Sequence, residues 1–156
     1  MENTTQKYTN ARLMAVQATY AQAQTDEKWE KVVSRFLLGE TGGMVIKEGI
    51  AGRYEILPLE DADMTLFTKL TKEVQAKDED LDTIIRTNIS QKIDYDRLEL
   101  VLKCILKVGI AEFYANPRLD TPIIISEYVD ITRSFFDESE AGIVNALLDK
   151  FAKVIR

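Results

Sequence analysis

The amino-acid sequence predicts an all-α fold, on three observations. Apolar residues recur at spacings of three and four along almost the whole chain, the period of helices with one buried side. No segment longer than about five residues alternates apolar and polar with the period of two that a half-buried strand shows. Five of the seven glycines gather in one stretch, 39–61, which leaves the rest of the chain nearly free of helix breakers.

Seven helices follow in order. The first, 9–24, is rich in Ala and Gln and carries Leu13, Val16 and Tyr20 as an apolar stripe, with a polar opposite face. The second, 26–38, carries Trp29, Val32, Val33, Phe36 and Leu37; Thr25 or Asp26 caps its first amides and Gly39 ends it. The stretch 39–61 also holds a proline and reads as an extended, mobile connection. A third helix begins near Asp63 with Met64, Phe67, Leu70 and Val74, and a fourth begins at the DEDLD run with Leu81, Ile84, Ile85 and Asn88. The segment 94–115 is apolar on several sides, through Leu98, Val101, Leu102, Ile105, Leu106 and Val108, and is expected at the centre of the core. Asn116-Pro117 stops it, and Thr121-Pro122 starts the next in the order of cap then proline. Ile125, Tyr128, Val129, Thr132 and Phe135 form that helix's buried stripe, and after a short break at Phe136 and Asp137 a last helix carries Ile143, Val144, Leu147, Leu148 and Phe151.

Composition limits the chemistry. At 156 residues and 46% hydrophobic content, one domain can bury a core without disulfides or metal. There is no run of eighteen apolar residues, and the opening MENTTQKYTN lacks the basic-then-apolar order of a secretory signal, so a soluble cytoplasmic protein is expected. The lone Cys104 sits in an apolar run, as a small buried hydrophobe does. With no histidine, Ser-His-Asp, Cys-His and His-based zinc chemistry are excluded, and no cofactor is called for. A balance of 26 acidic against 20 basic residues opposes indiscriminate binding to nucleic acid, so any RNA contact must be local.

Few motifs compete for function. The carboxylates of Asp61, Asp63, Asp78, Asp80 and Asp82 offer oxygen ligands to a hard cation, but each group precedes an apolar helical pattern, where acidic residues cap amides and complement the helix dipole. The glycines of 39–52 lack the GK[ST] ending of a phosphate loop. Asn145, between Val144 and Leu147, and Glu127 are polar residues on mostly apolar helices, to be explained by structural hydrogen bonding or by a ligand. Lys7 and Arg12 with Gln17 and Tyr20 combine cationic, amide and aromatic groups, which suits phosphate contact and base stacking.

The blocks ARLMAVQATYAQ at 11–22, YDRLELVLKCILKVGIAEF, TPIIISEYVDITRSF and IVNALLDKFAKVIR resemble, in order and spacing, the NusB family of transcription antitermination factors. The glycine-containing insertion before DADMTLF is similar to one in longer members. The resemblance implies a single seven-helix domain, 1–156, of two small packed subdomains, about 1–90 and about 91–156. It implies no catalysis, and a role in binding boxA-type RNA of ribosomal RNA transcripts with NusE, a small-subunit ribosomal protein, within the RNA polymerase antitermination complex. By position it carries RNA contact to Arg12, Gln17 and Tyr20, to Arg133, Ser134 and Phe135, and to Asn145. Glu127 matches the Glu of the family's Asn-Glu pair. Lys7 and Asn10 join this face, with Arg12 as an exposed cation.

The departures bear on the function. Where many members have an arginine cluster before the first helix, this chain has Tyr8, Thr9 and Asn10, so up to three counterion-releasing contacts are lost. Ile143 and Ala146 stand for the family's Phe and Gly, and Leu102 for a Glu on the expected NusE side. The alternatives are a helical protein-protein interaction module that has lost autonomous RNA binding, and an RNA-recognition region of the kind found in ribosomal RNA methyltransferases. Family members that dimerise make a homodimer a further expectation.

Overall fold

A computed structural model describes residues 2–39, 44–48, 54–58 and 61–156, with side chains described over 6–39 and 61–156. The described residues form six α-helices: α1 (Glu2–Thr25), α2 (Trp29–Leu37), α3 (Met64–Asn88), α4 (Leu100–Ala115), α5 (Thr121–Phe135) and α6 (Glu138–Ile155). The third and fourth expected helices are the two helical segments of α3, which meet at Lys77, where the backbone leaves the helical region (φ −119°, ψ 16°) immediately before the DEDLD run, so the expected boundary is present as a kink. Asp63 does cap α3, accepting the Leu66 amide at 2.7 Å.

The chain divides into two compact units, Met1–Thr68 and Lys69–Arg156, with the boundary inside α3 and upstream of residue 90. In the first unit α1 packs on α2, and Phe36 of α2 stacks on Phe67 at 5.9 Å. α1 begins seven residues earlier than expected, in a polar stretch without an apolar repeat. The expected polar face of α1 is largely covered: Asn10, Arg12 and Thr19 are buried along with Ala11, Met14, Ala15, Val16 and Ala18. Asp26, in the left-handed region (φ 55°), ends α1. Lys28, not Thr25 or Asp26, is the N-cap of α2; the Thr25 hydroxyl instead accepts the Glu27 amide at 3.3 Å. Gly39, at φ 74°, closes α2 as expected.

Two strands, β1 (Met44–Glu48) and β2 (Tyr54–Pro58), pair antiparallel with Ile46 opposite Ile56, where an unpaired connection was expected. Their Val, Ile and Tyr content favours extended backbone. Four of the five glycines on which the mobility of 39–61 was expected lie outside the described residues.

In the second unit α4 packs against both α5 and α6, and most of its residues are buried. It is shorter than expected at its start, because Asp94 accepts the Asp96 amide and winds Tyr95–Arg97 into a 3-10 turn, after which Leu98 and Glu99 are extended. Phe151 of α6 meets Phe113 edge-on at 5.6 Å. The cap of α5 is Asp120, one residue before the expected Thr121. Its buried side is Ile124, Tyr128, Val129, Ile131 and Thr132; Phe135, expected there, is 47% exposed because the backbone turns out at Phe136. No helix among the described residues is long and apolar enough to cross a membrane.

Candidate functional site

In α1 the sequence-predicted residues separate by helical phase. Asn10, Gln17, Tyr20 and Gln24 follow steps of seven, three and four and share one side, with Lys7 three residues before Asn10. Arg12 lies five residues from both Lys7 and Gln17, about 140° away round the helix. It is 5% exposed, so the expected solvent-facing cation is a buried one. Asn10 is buried too. Its amide donates to the Asp61 carbonyl at 3.3 Å and its oxygen accepts from Gln6 at 2.9 Å. With the Asp63 amide donating to the Lys7 carbonyl at 3.0 Å, this ties the segment entering α3 to α1. Lys7, half-exposed, lies 3.7 Å from the Asp61 carboxylate. Tyr20 is half-buried, and its hydroxyl accepts from Gln24 at 2.7 Å. Gln17 is half-buried and engaged.

The second group stands at the corner between α5 and α6. Arg133, Ser134 and Phe135 form the last turn of α5 and all are exposed. The Phe135 ring lies 6.4 Å from that of Phe136. Ser134 Oγ donates to the Asp130 carbonyl at 3.4 Å. Arg133 donates through Nε to Glu138 Oε1 at 2.8 Å, through Nη2 to Glu138 Oε2 at 3.4 Å and through Nη1 to Asp130 at 3.2 Å. The hydrogen bond to Glu138 and the charge of Glu138 raise the guanidinium pKa, opposed by partial loss of solvent and assisted by the charge and hydrogen bond of Asp130.

Asn145 does not join that corner. It is exposed on α6, seven residues beyond Glu138, and lines an open groove of about 400 Å³ with Thr121, Pro122, Ile125, Ser126, Val129 and Asp149. The expected choice between structural bonding and ligand contact thus concerns a surface residue. Glu127 is half-buried and engaged.

Sequence reasoning missed the carboxylates that hold Arg133. Asp130, at the i−3 position, was legible as an ion-pair partner. Glu138 was not, because its approach depends on the turn at Phe136. The other acidic cluster has a structural role: Lys107 reaches Asp78 at 3.0 Å and Asp82 at 3.6 Å, and Tyr95 donates to Asp82 beneath the Arg86 and Lys103 side chains. Burial opposes the charge on Lys107, but the hydrogen bond to Asp78 and the charges of both aspartates outweigh it and hold its pKa above the usual value.

Comparison with known proteins covers nearly the whole chain. A profile of the NusB family matches residues 9–153. The transcription antitermination protein NusB of Rhodospirillum rubrum is 38% identical over 153 residues, covering 94% of this chain and 83% of that protein. That of Sphingopyxis alaskensis is 30% identical over 156 residues, covering 100% and 99%. Among solved structures, a complex of antitermination factors NusB and NusE with dsRNA superposes with a TM-score of 0.65 at 21% identity, covering 94% of this chain and 96% of that one. T. maritima NusB gives 0.68 at 17% identity, covering 93% and 89%. The structural likeness extends the sequence kinship to the fold.

Proposed function

The chain belongs to the NusB family, and from that premise we propose that it is a transcription antitermination factor that binds boxA-type RNA of ribosomal RNA transcripts together with NusE and keeps RNA polymerase processive. The observation that carries this reading is the match to relatives named as antitermination proteins over 94% to 100% of the chain. In this reading the protein works in the cytoplasm, on the nascent transcript, and catalyses no reaction.

Lys7, Gln17 and Tyr20 on α1, and Arg133, Ser134, Phe135 and Asn145 in the second unit, are the RNA-facing candidates. Asn10 and Arg12 support α1 from within. The electrostatics favour joint binding. The chain carries a net charge of −6, and both Lys7 and Arg133 already face carboxylates. A basic partner bound beside a small RNA surface supplies the field that the chain itself lacks.

Fluorescence titration of a boxA RNA oligonucleotide, with and without NusE, tests the reading. NusE is expected to tighten RNA binding at least about tenfold, a coupling of about 1.4 kcal/mol, and RNA to tighten NusE binding by the same factor. Both effects shrink as salt rises. Tight binding by the chain alone, unaffected by NusE, overturns the coupling; absence of binding in either mixture overturns the RNA-binding reading.

A further inference from the structure

We propose that Glu138, with Asp130, occupies the Arg133 guanidinium as an internal substitute for RNA phosphate, so that RNA binding at the α5–α6 corner proceeds by displacing these carboxylates. The proposal rests on the RNA-binding reading above and assigns to that site a built-in competitor. Glu138 sets two oxygens against Nε and Nη2 of Arg133, and Asp130 takes Nη1, so each of the three guanidinium nitrogens faces a carboxylate of the chain. The paired-oxygen approach is the one by which a guanidinium takes a phosphate, and a guanidinium edge cannot serve both at full strength.

The arrangement is displaceable. The side chains of Arg133, Asp130 and Glu138 are 50%, 63% and 77% exposed, and ion pairs in such water contribute little net attraction. Glu138 also stands in the first turn of α6, where the positive end of the helix favours a carboxylate whether or not it touches Arg133. The exposed Phe135 ring beside the pair offers a surface on which a base can stack. A strand seated there brings its phosphates to Arg133 two residues away. The two carboxylates compete with those phosphates for the Arg133 guanidinium, and so set the affinity of the corner.

The test compares Glu138→Gln, Arg133→Ala, the double variant and Glu140→Gln in titrations of a boxA RNA oligonucleotide with NusE at several salt concentrations. Glu140 is the control, because it lies on the same turn of α6 and its carboxylate bonds the Ser139 hydroxyl instead of Arg133. Glu138→Gln is expected to tighten RNA binding by about threefold to tenfold and to steepen the salt dependence by up to about 0.7 in log-log slope. Glu140→Gln should change affinity less than about twofold, and the gain from Glu138→Gln should vanish when Arg133 is alanine. Unchanged affinity in Glu138→Gln, an equal gain in Glu140→Gln, or a gain that survives without Arg133 overturns the competition while leaving the RNA site standing. If Arg133→Ala alone has no effect, or wild-type protein binds no RNA, the assignment of RNA to this corner falls and the competition falls with it.

Discussion

The hydroxyl of Tyr128 donates a 2.6 Å hydrogen bond to the carboxylate of Glu112, and neither residue is exposed to solvent. The pair joins α5 to α4 at the centre of the second unit, and Asn116 donates to the other carboxylate oxygen at 2.9 Å. A carboxylate in an apolar interior is tolerated only where its oxygens are met by donors. Tyr128→Phe keeps the ring and removes one donor. It is expected to destabilise the protein by about 1–3 kcal/mol, read as a lower urea midpoint with unchanged slope. An unshifted midpoint would show that the bond contributes nothing net.

Cys104, on α4 in the same unit, is 1% exposed, and burial pushes its thiol up to about 12 from an ordinary value of 9.0. At pH 8 the folded thiol holds about a thousandfold less thiolate than the unfolded one, so a disulfide reagent should label native protein far more slowly than urea-unfolded protein. Linkage gives the pH dependence. The folded state holds its proton to a higher pH, so this contribution to stability is complete below about pH 9 and is lost as pH rises toward 12. Equal labelling rates with and without urea would overturn the buried assignment.

Arg12 reverses a sequence expectation and yields a stability prediction. A cation 5% exposed packs its stem and engages its partners inside the fold, so Arg12→Ala should lower stability by about 1–3 kcal/mol. An exposed phosphate-binding cation would leave the melting temperature unchanged. Thermal melts followed by circular dichroism at 222 nm decide between the two.

Why the sequence misplaced Arg12 is a matter of physics. Helical periodicity marks one buried side through Leu, Val and Ile, and α4 and α6 were legible in that way. On α1 small alanines let neighbouring elements approach closely, and the polar Asn10, Arg12 and Thr19 are buried among them, so the apolar pattern is faint where burial is nearly complete. The break before the DEDLD run was legible and falls at Lys77. What the acidic run did not announce is that Asp78 and Asp82 also serve Lys107. Of the candidate RNA residues, the exposure of Arg133, Ser134 and Phe135 follows from the break at Phe136 and Asp137, which the sequence places there, while the direction in which the chain leaves it is set by the packing of α6 and was not legible.

The last prediction separates stacking from charge at the α5–α6 corner. Phe135 and Arg133 are both exposed, and neither is buried in the core. Phe135→Ala should therefore leave the melting temperature within about 1 °C, while removing a stacking surface that contributes about 1–2 kcal/mol per base. That corresponds to a roughly fivefold to thirtyfold loss of affinity for boxA RNA in the presence of NusE. Because stacking releases no counterions, the slope of log affinity against log salt should stay as in the wild type. Arg133→Ala should behave in the opposite way, flattening that slope by as much as about 0.7 for one lost single-strand phosphate contact. Its loss of affinity should be smaller at high salt than at low salt, since the lost interaction is one that salt already weakens. A flattened slope in Phe135→Ala, or an unchanged one in Arg133→Ala, would show that these neighbouring residues do not divide the work between base and phosphate.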